Sequence, residues 1–328
     1  MKSIVTGGAG FIGSHLVDRL LSLNHKVTVL DNFSTGRRDN LSHLKDKIKI
    51  IECDLSKNGN WVKNFEKTDW VFHVAGLADI VPSIKNPVSY FNSNVVSTLN
   101  IIQASKKNKV KRIVYLASAS CYGLPEEYPT TEKAEIKPEY PYAIAKLMGE
   151  QLLMHWVKIY NLPAVSLRLF NVYGTRSRTS GTYGAVFGVF LAQKLANKPL
   201  TIVGDGNQTR DFTYVSDVVD AIICAVKSNR KGEIYNVGSG KSISVNRIVE
   251  LLGSQKVTHI PKRPGEPDQS LAGIEKIKKD FSWKPKVTIE EGVKEILKNI
   301  NYWKNAPVWT PSSIKRVTKE WFKSLSKK

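Results

Sequence analysis

Short apolar segments recur along the first half of the chain at the spacing typical of buried parallel strands. Six of them are rich in β-branched or aromatic residues: Lys2–Thr6, Lys26–Asp31, Ile48–Glu52, Trp70–Ala75, Arg112–Ala117 and Ala164–Arg168. Longer amphipathic stretches lie between several of them, namely Gly13–Leu23, Val88–Lys107 and Tyr142–Tyr160. Because apolar strands that alternate with amphipathic helices form βαβ units, the pattern predicts an α/β fold with a Rossmann-type, doubly wound parallel sheet.

The alternation stops after Asn171, where turn-rich segments replace it. Gly174–Gly188 is rich in Gly, Ser, Thr and Arg, and Gly204–Arg210 is a second stretch of this kind. Short helical and extended pieces follow, and Pro261–Asp268 reads as a loop rich in Pro and Gly. This half of the chain therefore predicts a smaller C-terminal α/β lobe.

The expected domain organisation follows from this change of pattern. We expect a Rossmann domain over residues 1–170, with returns to its sheet from about 210–240. Residues 171–302 should form most of the smaller lobe, and 303–328 a basic amphipathic tail.

The tail carries an apolar stripe beside its charges. Its last fifteen residues include six basic residues and one acidic residue. Apolar side chains recur among them at helical spacing: Ile314, Val317, Trp321, Phe322 and Leu325. Such a helix lies either on a membrane surface or with its stripe against the body of the protein, and we favour the second interpretation.

Composition and charge exclude several classes of protein. Hydrophobic residues make up 41% of the chain and charged residues 24%, as in ordinary globular proteins. No apolar run reaches the roughly 20 residues of a membrane span, and the first residues lack the layout of a signal peptide. The three cysteines, Cys53, Cys121 and Cys224, are too scattered for a disulfide framework. We therefore expect a cytoplasmic protein without a membrane span.

The formal net charge of +20 could indicate an anionic partner, but its distribution favours a simpler interpretation. Of the 49 basic residues 37 are Lys, and they are spread along the whole chain. A nucleic-acid site would cluster Arg and aromatic residues on one face. The six histidines show no metal-ligand spacing, and no pair of cysteines accompanies them. We expect neither a nucleic-acid partner nor a bound metal.

A glycine-rich turn follows the first predicted strand directly. Gly8-Ala9-Gly10-Phe11-Ile12-Gly13 has the spacing GxGxxG and opens the first predicted helix. Glycines at these places allow a tight turn and a close approach of the backbone to a pyrophosphate, which the helix N-terminus attracts. Asp31 ends the second strand eighteen residues after Gly13. Its carboxylate can accept hydrogen bonds from both ribose hydroxyls and would repel a 2′-phosphate, so the pattern predicts NAD rather than NADP.

A second group of residues suggests chemistry. Tyr142 and Lys146 are four residues apart in a predicted helix, so both side chains share one face. A neighbouring ammonium stabilises a phenolate and lowers the pKa of the tyrosine toward the range of a useful base. The strand Arg112–Ala117 runs into a Ser-rich turn that begins with Ser118, at the strand end where open α/β sheets bind ligands.

These motifs resemble, in order, those of the extended short-chain dehydrogenase/reductases, the NAD-dependent epimerases and dehydratases of nucleotide sugars. The similar segments are TGGAGFIG at 6–13, LDNFSTG at 30–36, HVAG at 73–76, LASASCYG at 116–123, PYAIAK at 141–146, LRLFNVYG at 167–174, RDFTYVSDV at 210–218 and FSWKPKVTIEEG at 281–292. The resemblance runs from residue 2 to about 300, and the tail lies outside it. It implies catalytic roles for Ser118, Tyr142 and Lys146 and a homodimer formed through the Val88–Lys107 and Tyr142–Tyr160 helices.

The resemblance also implies which residues contact the ligands. Those expected at the cofactor are Gly7, Gly10, Phe11, Ile12, Gly13, Asp31, Asn32, Ser34, Gly36, Asp54, Leu55, Ala75, Asn94, Tyr142 and Lys146. Those expected at a nucleotide-diphosphate sugar are Ser83, Ser118, Asn171, Arg210, Arg263 and Ser270. Arg210 and Arg263 match the positions that clamp the diphosphate, a role suited to guanidinium charge and geometry.

Within this family the turn after the fifth strand separates the reactions. Dehydratases carry an Asp-Glu pair after the catalytic Ser or Thr, and UDP-glucuronate decarboxylases usually carry a Glu two positions after it. Ala119 and Ser120 occupy these positions here, so the resemblance implies a 4-epimerase. Tyr142 would take the proton of the 4-hydroxyl as hydride leaves C4 for NAD, and the 4-keto sugar would turn over and regain the hydride on its other face.

One position carries information on the sugar. Ser270 stands where epimerases restricted to UDP-glucose and UDP-galactose have a bulky Tyr, and a small residue there makes room for a 2-acetamido group. The resemblance thus implies UDP-GlcNAc and UDP-GalNAc as substrates, alone or together with UDP-glucose and UDP-galactose, in the synthesis of surface polysaccharides.

Two alternatives remain open from the sequence. The first is another nucleotide-sugar enzyme of this family, namely a dehydratase, a reductase or an epimerase at another carbon. The second, of a different class, is a non-catalytic protein that binds NAD or nucleic acid.

Overall fold

A computed structural model describes residues 1–44, 46–177, 185–253 and 256–325. The strands within these ranges are β1 (Lys2–Thr6), β2 (Lys26–Asp31), β3 (Ile48–Glu52), β4 (Trp70–His73), β5 (Arg112–Ser118), β6 (Ala164–Leu169), β7 (Asn171–Tyr173), β8 (Leu200–Val203), β9 (Thr209–Arg210), β10 (Phe212–Tyr214), β11 (Ile234–Val237), β12 (Ile243–Ser244) and β13 (Val257–Ile260). The α-helices are α1 (Phe11–Ser22), α2 (Ile80–Lys85), α3 (Pro87–Phe91), α4 (Ser97–Lys107), α5 (Pro141–Tyr160), α6 (Val186–Leu195), α7 (Val215–Lys227), α8 (Val245–Leu251), α9 (Glu275–Phe281), α10 (Ile289–Lys298) and α11 (Pro311–Leu325).

Seven parallel strands form the central sheet in the order β11-β6-β5-β4-β1-β2-β3. The chain proceeds from β1 outward to β3 on one side and from β4 outward to β11 on the other. The direction of strand order therefore reverses between β1 and β4, and a crevice opens there at the carboxyl ends of the strands. The predicted Rossmann fold is confirmed.

Hydrophobic side chains from both faces of the sheet lie in separate clusters. One cluster packs α1 and α7 on the sheet through residues that include Leu16, Val29 and Ile222. The other packs α4 and α5 on the opposite face through residues that include Ile101 and Leu153. Coverage of both faces explains why the strand sequences are nearly continuous apolar runs.

The smaller lobe is built from three two-stranded sheets and helices. Strand β10 pairs with β7 and β13 pairs with β8, both in parallel, while β12 pairs with β9 in antiparallel. A third hydrophobic cluster holds these pieces together around Phe190, Ile248 and Trp303, which are 2% exposed or less. Strand β11 returns the chain to the central sheet beside β6.

The predicted helical stretch Val88–Lys107 is present, with a π-helical turn inside it. Helix α3 ends at Phe91, the π-helical turn covers Asn92–Val96 and α4 begins at Ser97, with helical backbone angles at both junctions. Ser97 Oγ and Thr98 Oγ1 donate to the carbonyl groups of Ser93 and Asn94 four residues earlier. Such bonds compete with the helical backbone.

The tail forms a helix that packs on the rest of the protein. Thr310 begins α11 as its cap, since Thr310 Oγ1 accepts a hydrogen bond from Ser313 N at 3.2 Å, and Pro311 stands at the first helical position. Ile314 and Trp321 are 3% and 2% exposed, so the apolar stripe is buried. Among the described ranges, no helix combines the length and apolar character that crossing a bilayer requires.

A buried ion pair joins helix α5 to the sheet. Glu150 on α5 and Arg168 on β6 are 2% and 4% exposed, and Arg168 Nη2 lies 2.6 Å from Glu150 Oε1. Ser166 Oγ donates to the other carboxylate oxygen at 2.8 Å, and Arg168 Nη1 donates to Tyr122 Oη at 2.9 Å. Tyr122 Oη in turn donates to Asn236 Oδ1 at 2.7 Å on β11. The charges are thus paired and bridged to two further elements.

We expect Glu150→Ala to lower the free energy of unfolding by about 3–5 kcal/mol, because it leaves the Arg168 charge buried without its partner. Glu250→Ala is the matched control: it removes an exposed pair with Arg247 at 3.0 Å and should cost less than about 1 kcal/mol. Urea denaturation of both variants measures the difference. Equal losses would show that the buried pair is not a stabilising link.

Candidate active site

A cavity of about 650 Å³ opens at the carboxyl ends of the central strands, at the point where the strand order reverses. Loops after β1, β2, β3 and β4, the end of β5 and one face of α5 contribute its walls. These are separate segments of the chain, so only the parallel sheet brings their side chains together.

The turn after β1 is packed too closely for side chains. A Cβ on Gly13 would lie 2.1 Å from the carbonyl oxygen of Gly7, so α1 runs directly against this turn. Gly7 has a φ of +66°, and a Cβ there would lie 2.7 Å from Ala75 Cα on the β4 loop. Gly10 caps α1 without a side-chain hydrogen bond. The turn therefore forms an open backbone cradle that suits a pyrophosphate.

Asp31 is held rigidly at the end of β2. It is 6% exposed, and its carboxylate accepts hydrogen bonds from Ala9 N at 2.9 Å and Phe33 N at 2.8 Å. Burial raises the pKa of Asp31, and the two backbone bonds oppose this by stabilising the charged form. The carboxylate faces the cavity beside Gly36, as expected of a group that binds ribose hydroxyls.

The other predicted cofactor residues follow the same wall, with one exception. Those that line the cavity are Gly7, Gly10, Phe11, Ile12, Gly13, Asn32, Ser34, Gly36, Asp54, Leu55, Ala75, Tyr142 and Lys146. Asn94 lies behind this wall: it is 1% exposed and its Nδ2 donates to Leu77 O at 3.1 Å. Its Oδ1 has no hydrogen-bond partner among the described residues and faces Gly76, a cavity residue. The cradle, the carboxylate and the cavity together fit a dinucleotide.

The three predicted catalytic residues meet in this cavity. Ser118 ends β5, and Tyr142 and Lys146 project from the first two turns of α5. Burial raises the pKa of Tyr142 to about 12, whereas a hydrogen bond with Ser118 lowers it and the charge of Asp79 raises it. Ser118 Oγ also accepts a hydrogen bond from Ser120 N at 3.2 Å, which orients the hydroxyl.

Lys146 is a buried cation that lines the same cavity. The residue is 6% exposed, and its Nζ lies 4.7 Å from the centre of the Tyr115 ring. Burial lowers the pKa of Lys146 to about 8, and the carboxylate of Glu150 one turn later opposes this. Helix α5 therefore places a weakly solvated ammonium and a phenol in one cavity.

Two of the predicted substrate residues line a second cavity, of about 340 Å³. Arg210 and Arg263 face it together with Glu266, whose carboxylate lies 3.0 Å from Arg263 Nη1 and 3.8 Å from Arg210 Nη2. Tyr140 is near residues of both cavities. Its ring stacks on that of Tyr142 with centroids 6.4 Å apart. Burial raises the pKa of Tyr140, and the charges of Glu266 and Arg210 act on it as well.

The remaining substrate residues are placed less directly. Ser83 is fully buried in α2, where its Oγ donates to Ile80 O at 2.7 Å. Asn171 is exposed at the start of β7. Ser270 N donates to Thr209 O at 3.1 Å, and Ser270 is not among the described residues that line either cavity. The structure thus places Ser118 in the wall of the first cavity and Arg210 and Arg263 in the wall of the second. Ser83, Asn171 and Ser270 are not among the described residues that line either cavity.

Several cavity residues escaped the sequence analysis. Asp79, with a φ of +81°, lines the cavity near Tyr142. Its only signal in the sequence was its place three residues after the HVAG segment at 73–76. Tyr302, just before the tail, and Trp309, within it, line the same cavity, with the Arg37 guanidinium 5.3 Å from the centre of the Tyr302 ring. No motif could reveal these two, because the resemblance ends before them.

Comparison with known proteins gives a consistent result. Residues 3–238 match the model of the NAD dependent epimerase/dehydratase family. A putative UDP-glucose 4-epimerase of Methanocaldococcus jannaschii is 36% identical over 92% of this chain and 98% of that protein. A UDP-N-acetyl-alpha-D-glucosaminuronate decarboxylase of Bacillus cytotoxicus is 31% identical over 90% of this chain and 96% of that protein.

The structural comparison agrees. The UDP-N-acetylglucosamine 4-epimerase of Methanobrevibacter ruminantium M1, solved in complex with UDP-N-acetylmuramic acid, superposes with a TM-score of 0.85. It is 34% identical and covers 91% of this chain and 98% of its own. With its parallel sheet, its dinucleotide cavity and these relatives, the chain belongs to the NAD-dependent epimerase/dehydratase family of nucleotide-sugar enzymes.

Proposed function

We propose that this protein is a nucleotide-sugar 4-epimerase that converts UDP-GlcNAc and UDP-GalNAc, UDP-glucose and UDP-galactose, or both pairs. The observation that carries the proposal is the composition of the catalytic cavity. Ser118, Tyr142 and Lys146 line it, whereas the turn that follows Ser118 consists of Ala119, Ser120, Cys121 and Tyr122. This turn holds no carboxylate, so it offers no acid or base for the elimination of water or for a decarboxylation.

The proposed mechanism assigns one task to each of the three residues. NAD, when bound, supplies a hydride acceptor that is regenerated within each turnover. Tyr142 accepts the proton of the sugar 4-hydroxyl through its phenolate. The Ser118 hydroxyl has one proton, which it shares between the same sugar oxygen and the tyrosine, and the Lys146 ammonium stabilises the phenolate.

Burial opposes ionisation of both Tyr142 and Lys146. Burial raises the pKa of Tyr142 to about 12 and lowers the pKa of Lys146 to about 8. Both shifts have the same cause, namely the loss of water around a charge. An additional positive charge in the cavity would favour the tyrosinate, so binding of the oxidised cofactor supports the base.

The substrate side is consistent with a nucleotide diphosphate. Arg210 and Arg263 present two guanidinium groups to the second cavity, and diphosphate oxygens are suited to both. In the free protein the Glu266 carboxylate lies between them. Ser270, which is not among the described residues that line the two cavities, supports a 2-acetamido sugar only through the resemblance, since a small residue stands where restricted epimerases have a bulky Tyr.

One observation favours a second candidate function. Asp79 lines the catalytic cavity, and its charge acts on Tyr142. A carboxylate at this place is a possible acid or base for a dehydration, so a dehydratase of the same family is the alternative. The reductase and the epimerase at another carbon have no comparable observation in their favour.

We also propose that two copies associate through the surface of α4 and α5. Large hydrophobic side chains are exposed on or beside these helices: Val88, Val96, Ile159 and Tyr160. An apolar surface of this kind is typical of an interface between subunits.

Proton NMR of the anomeric signals tests the proposed reaction. The purified enzyme is given UDP-GlcNAc or UDP-glucose without added cofactor, and we expect the matching galacto sugar to appear. Tyr142→Phe should lower kcat at least about 100-fold, because it removes the proton acceptor. Tyr160→Phe, an exposed tyrosine at the other end of the same helix, is the control. No product from either sugar would contradict the proposal.

The dependence of kcat on pH tests the pairing of Ser118 with Tyr142. The phenolate is the active form, so kcat rises with pH toward the pKa of Tyr142. The hydrogen bond with Ser118 lowers that pKa, and Ser118→Ala should therefore move the rising limb of the profile to higher pH. Ser120→Ala, two residues later, is the control and should leave the limb in place. The same displacement in both variants would argue against a specific pairing.

A further inference from the structure

The C-terminal helix α11 contacts both the smaller lobe and the Rossmann domain. Ile314 is 3% exposed within the hydrophobic cluster of the smaller lobe, and Val317 packs against the same cluster. The helix also packs against α2, which follows β4 in the Rossmann domain. It thus joins the two parts of the protein.

Trp321 fixes the end of α11 to the loop that carries Arg263. The indole is 2% exposed, and its Nε1 donates to the carbonyl oxygen of Pro264 at 2.9 Å. The Arg263 guanidinium carbon lies 5.4 Å from the centre of an indole ring. A Cβ on Gly265 would lie 3.1 Å from Leu325 Cδ1, so the loop and the helix are in close contact.

These contacts restrict the orientation of Arg263. Its side chain is 13% exposed and lies between the indole and the Glu266 carboxylate. A free arginine side chain loses rotamer entropy when it is fixed. An arginine that the protein already holds has less entropy to lose when it binds an anion, and it binds more tightly for that reason.

The held arginine is close to the chemistry. Arg263, Arg210 and Glu266 line one cavity. The charges of Arg210 and Glu266 act on Tyr140, whose ring stacks on that of Tyr142. The contact between Trp321 and Arg263 therefore lies at the wall of the cavity proposed to hold the diphosphate.

The tail lies beyond the sequence motifs that resemble the family, which end at about residue 300. The relative from M. jannaschii is matched over 98% of its own length, while 8% of this chain lies outside the match. General features of the family therefore do not supply a role for Trp321.

We propose that α11 is a strap beside the cavity that Arg210 and Arg263 line. In it Trp321 is a positioning residue, which holds Arg263 ready for the diphosphate of the nucleotide sugar. The inference rests on the proposed function for the identity of the ligand. Trp321 acts through Arg263 and the Pro264 carbonyl group and does not itself touch the reacting atoms. Its loss should weaken binding of the nucleotide and leave the chemical step nearly unchanged.

Three variants separate positioning from folding. Trp321→Ala removes both contacts, Trp321→Phe keeps an aromatic face for Arg263 but loses the hydrogen bond to Pro264, and Lys319→Ala changes an exposed residue of the same helix. Isothermal titration calorimetry with UDP alone measures binding without turnover. Thermal unfolding and the content of bound NAD report whether each variant is folded.

We expect Kd for UDP and KM for the sugar nucleotide to rise roughly tenfold in Trp321→Ala and by a smaller factor in Trp321→Phe, with kcat within about twofold of the parent. Lys319→Ala should match the parent in each measurement. Unchanged Kd and KM in a folded Trp321→Ala, or a lower Kd that reveals the tail as an obstacle, would overturn the inference. If Trp321→Ala does not fold, Trp321→Phe decides in the same way.

The same experiment keeps this inference distinct from the proposed function. UDP binding by the parent protein depends on the diphosphate clamp and not on the reaction at C4. A parent that binds UDP but converts neither UDP-GlcNAc nor UDP-glucose would contradict the 4-epimerase proposal, and the effect of Trp321 on UDP binding would still be measurable.

Discussion

The attachment of helix α5 to the central sheet is the constraint on which the active site depends. Glu150 and Arg168 form a buried pair at 2.6 Å, and Tyr122 and Asn236 extend it to the turn after β5 and to β11. Gly149, next to Glu150, allows close contact, since a Cβ there would lie 2.4 Å from Tyr115 Oη. With α5 held against the sheet, Tyr142 and Lys146 project over the carboxyl end of β5, where Ser118 is.

This arrangement buries ionisable groups at some cost in solvation. Lys146 is buried near a neutral phenol, and the compensating charge of Glu150 is already paired with Arg168. Burial lowers the pKa of the lysine to about 8 and raises the pKa of the tyrosine to about 12, because both groups lose water. A positive charge added to the cavity would favour the tyrosinate.

Much of this could be predicted from sequence, and the reasons are physical. The alternation of apolar strands and amphipathic helices determined the order of elements in the Rossmann domain, and the glycines of residues 7–13 identified a turn with no space for side chains. The π-helical turn at Asn92–Val96 was missed because it leaves the apolar periodicity intact. The roles of all the predicted ligand contacts stay predictions, and Ser83, Asn171 and Ser270 are not among the described residues that line the two cavities.

Contacts between distant segments were beyond such reasoning. Three contacts depend on how loops meet in three dimensions. They are those of Glu266 with two arginines, of Tyr140 with Tyr142, and of Trp321 with Pro264. The tail showed an apolar stripe, which predicted a packed helix, but the stripe carries no information about the surface that it covers. Asp79 could not be identified from the sequence either, because a single carboxylate in a loop belongs to no periodic pattern and no spaced motif.

In the proposed 4-epimerisation, hydride leaves and returns to the same carbon without exchange with water. The most direct test is to carry out the reaction with UDP-GlcNAc or UDP-glucose in D₂O, without added cofactor, and to determine the deuterium bound to carbon in the product by mass spectrometry. The account predicts a galacto product of unchanged isotopic mass once exchangeable hydroxyl deuterons are washed out. Deuterium on a ring or side-chain carbon, with loss of water from the sugar, would contradict it and identify an elimination.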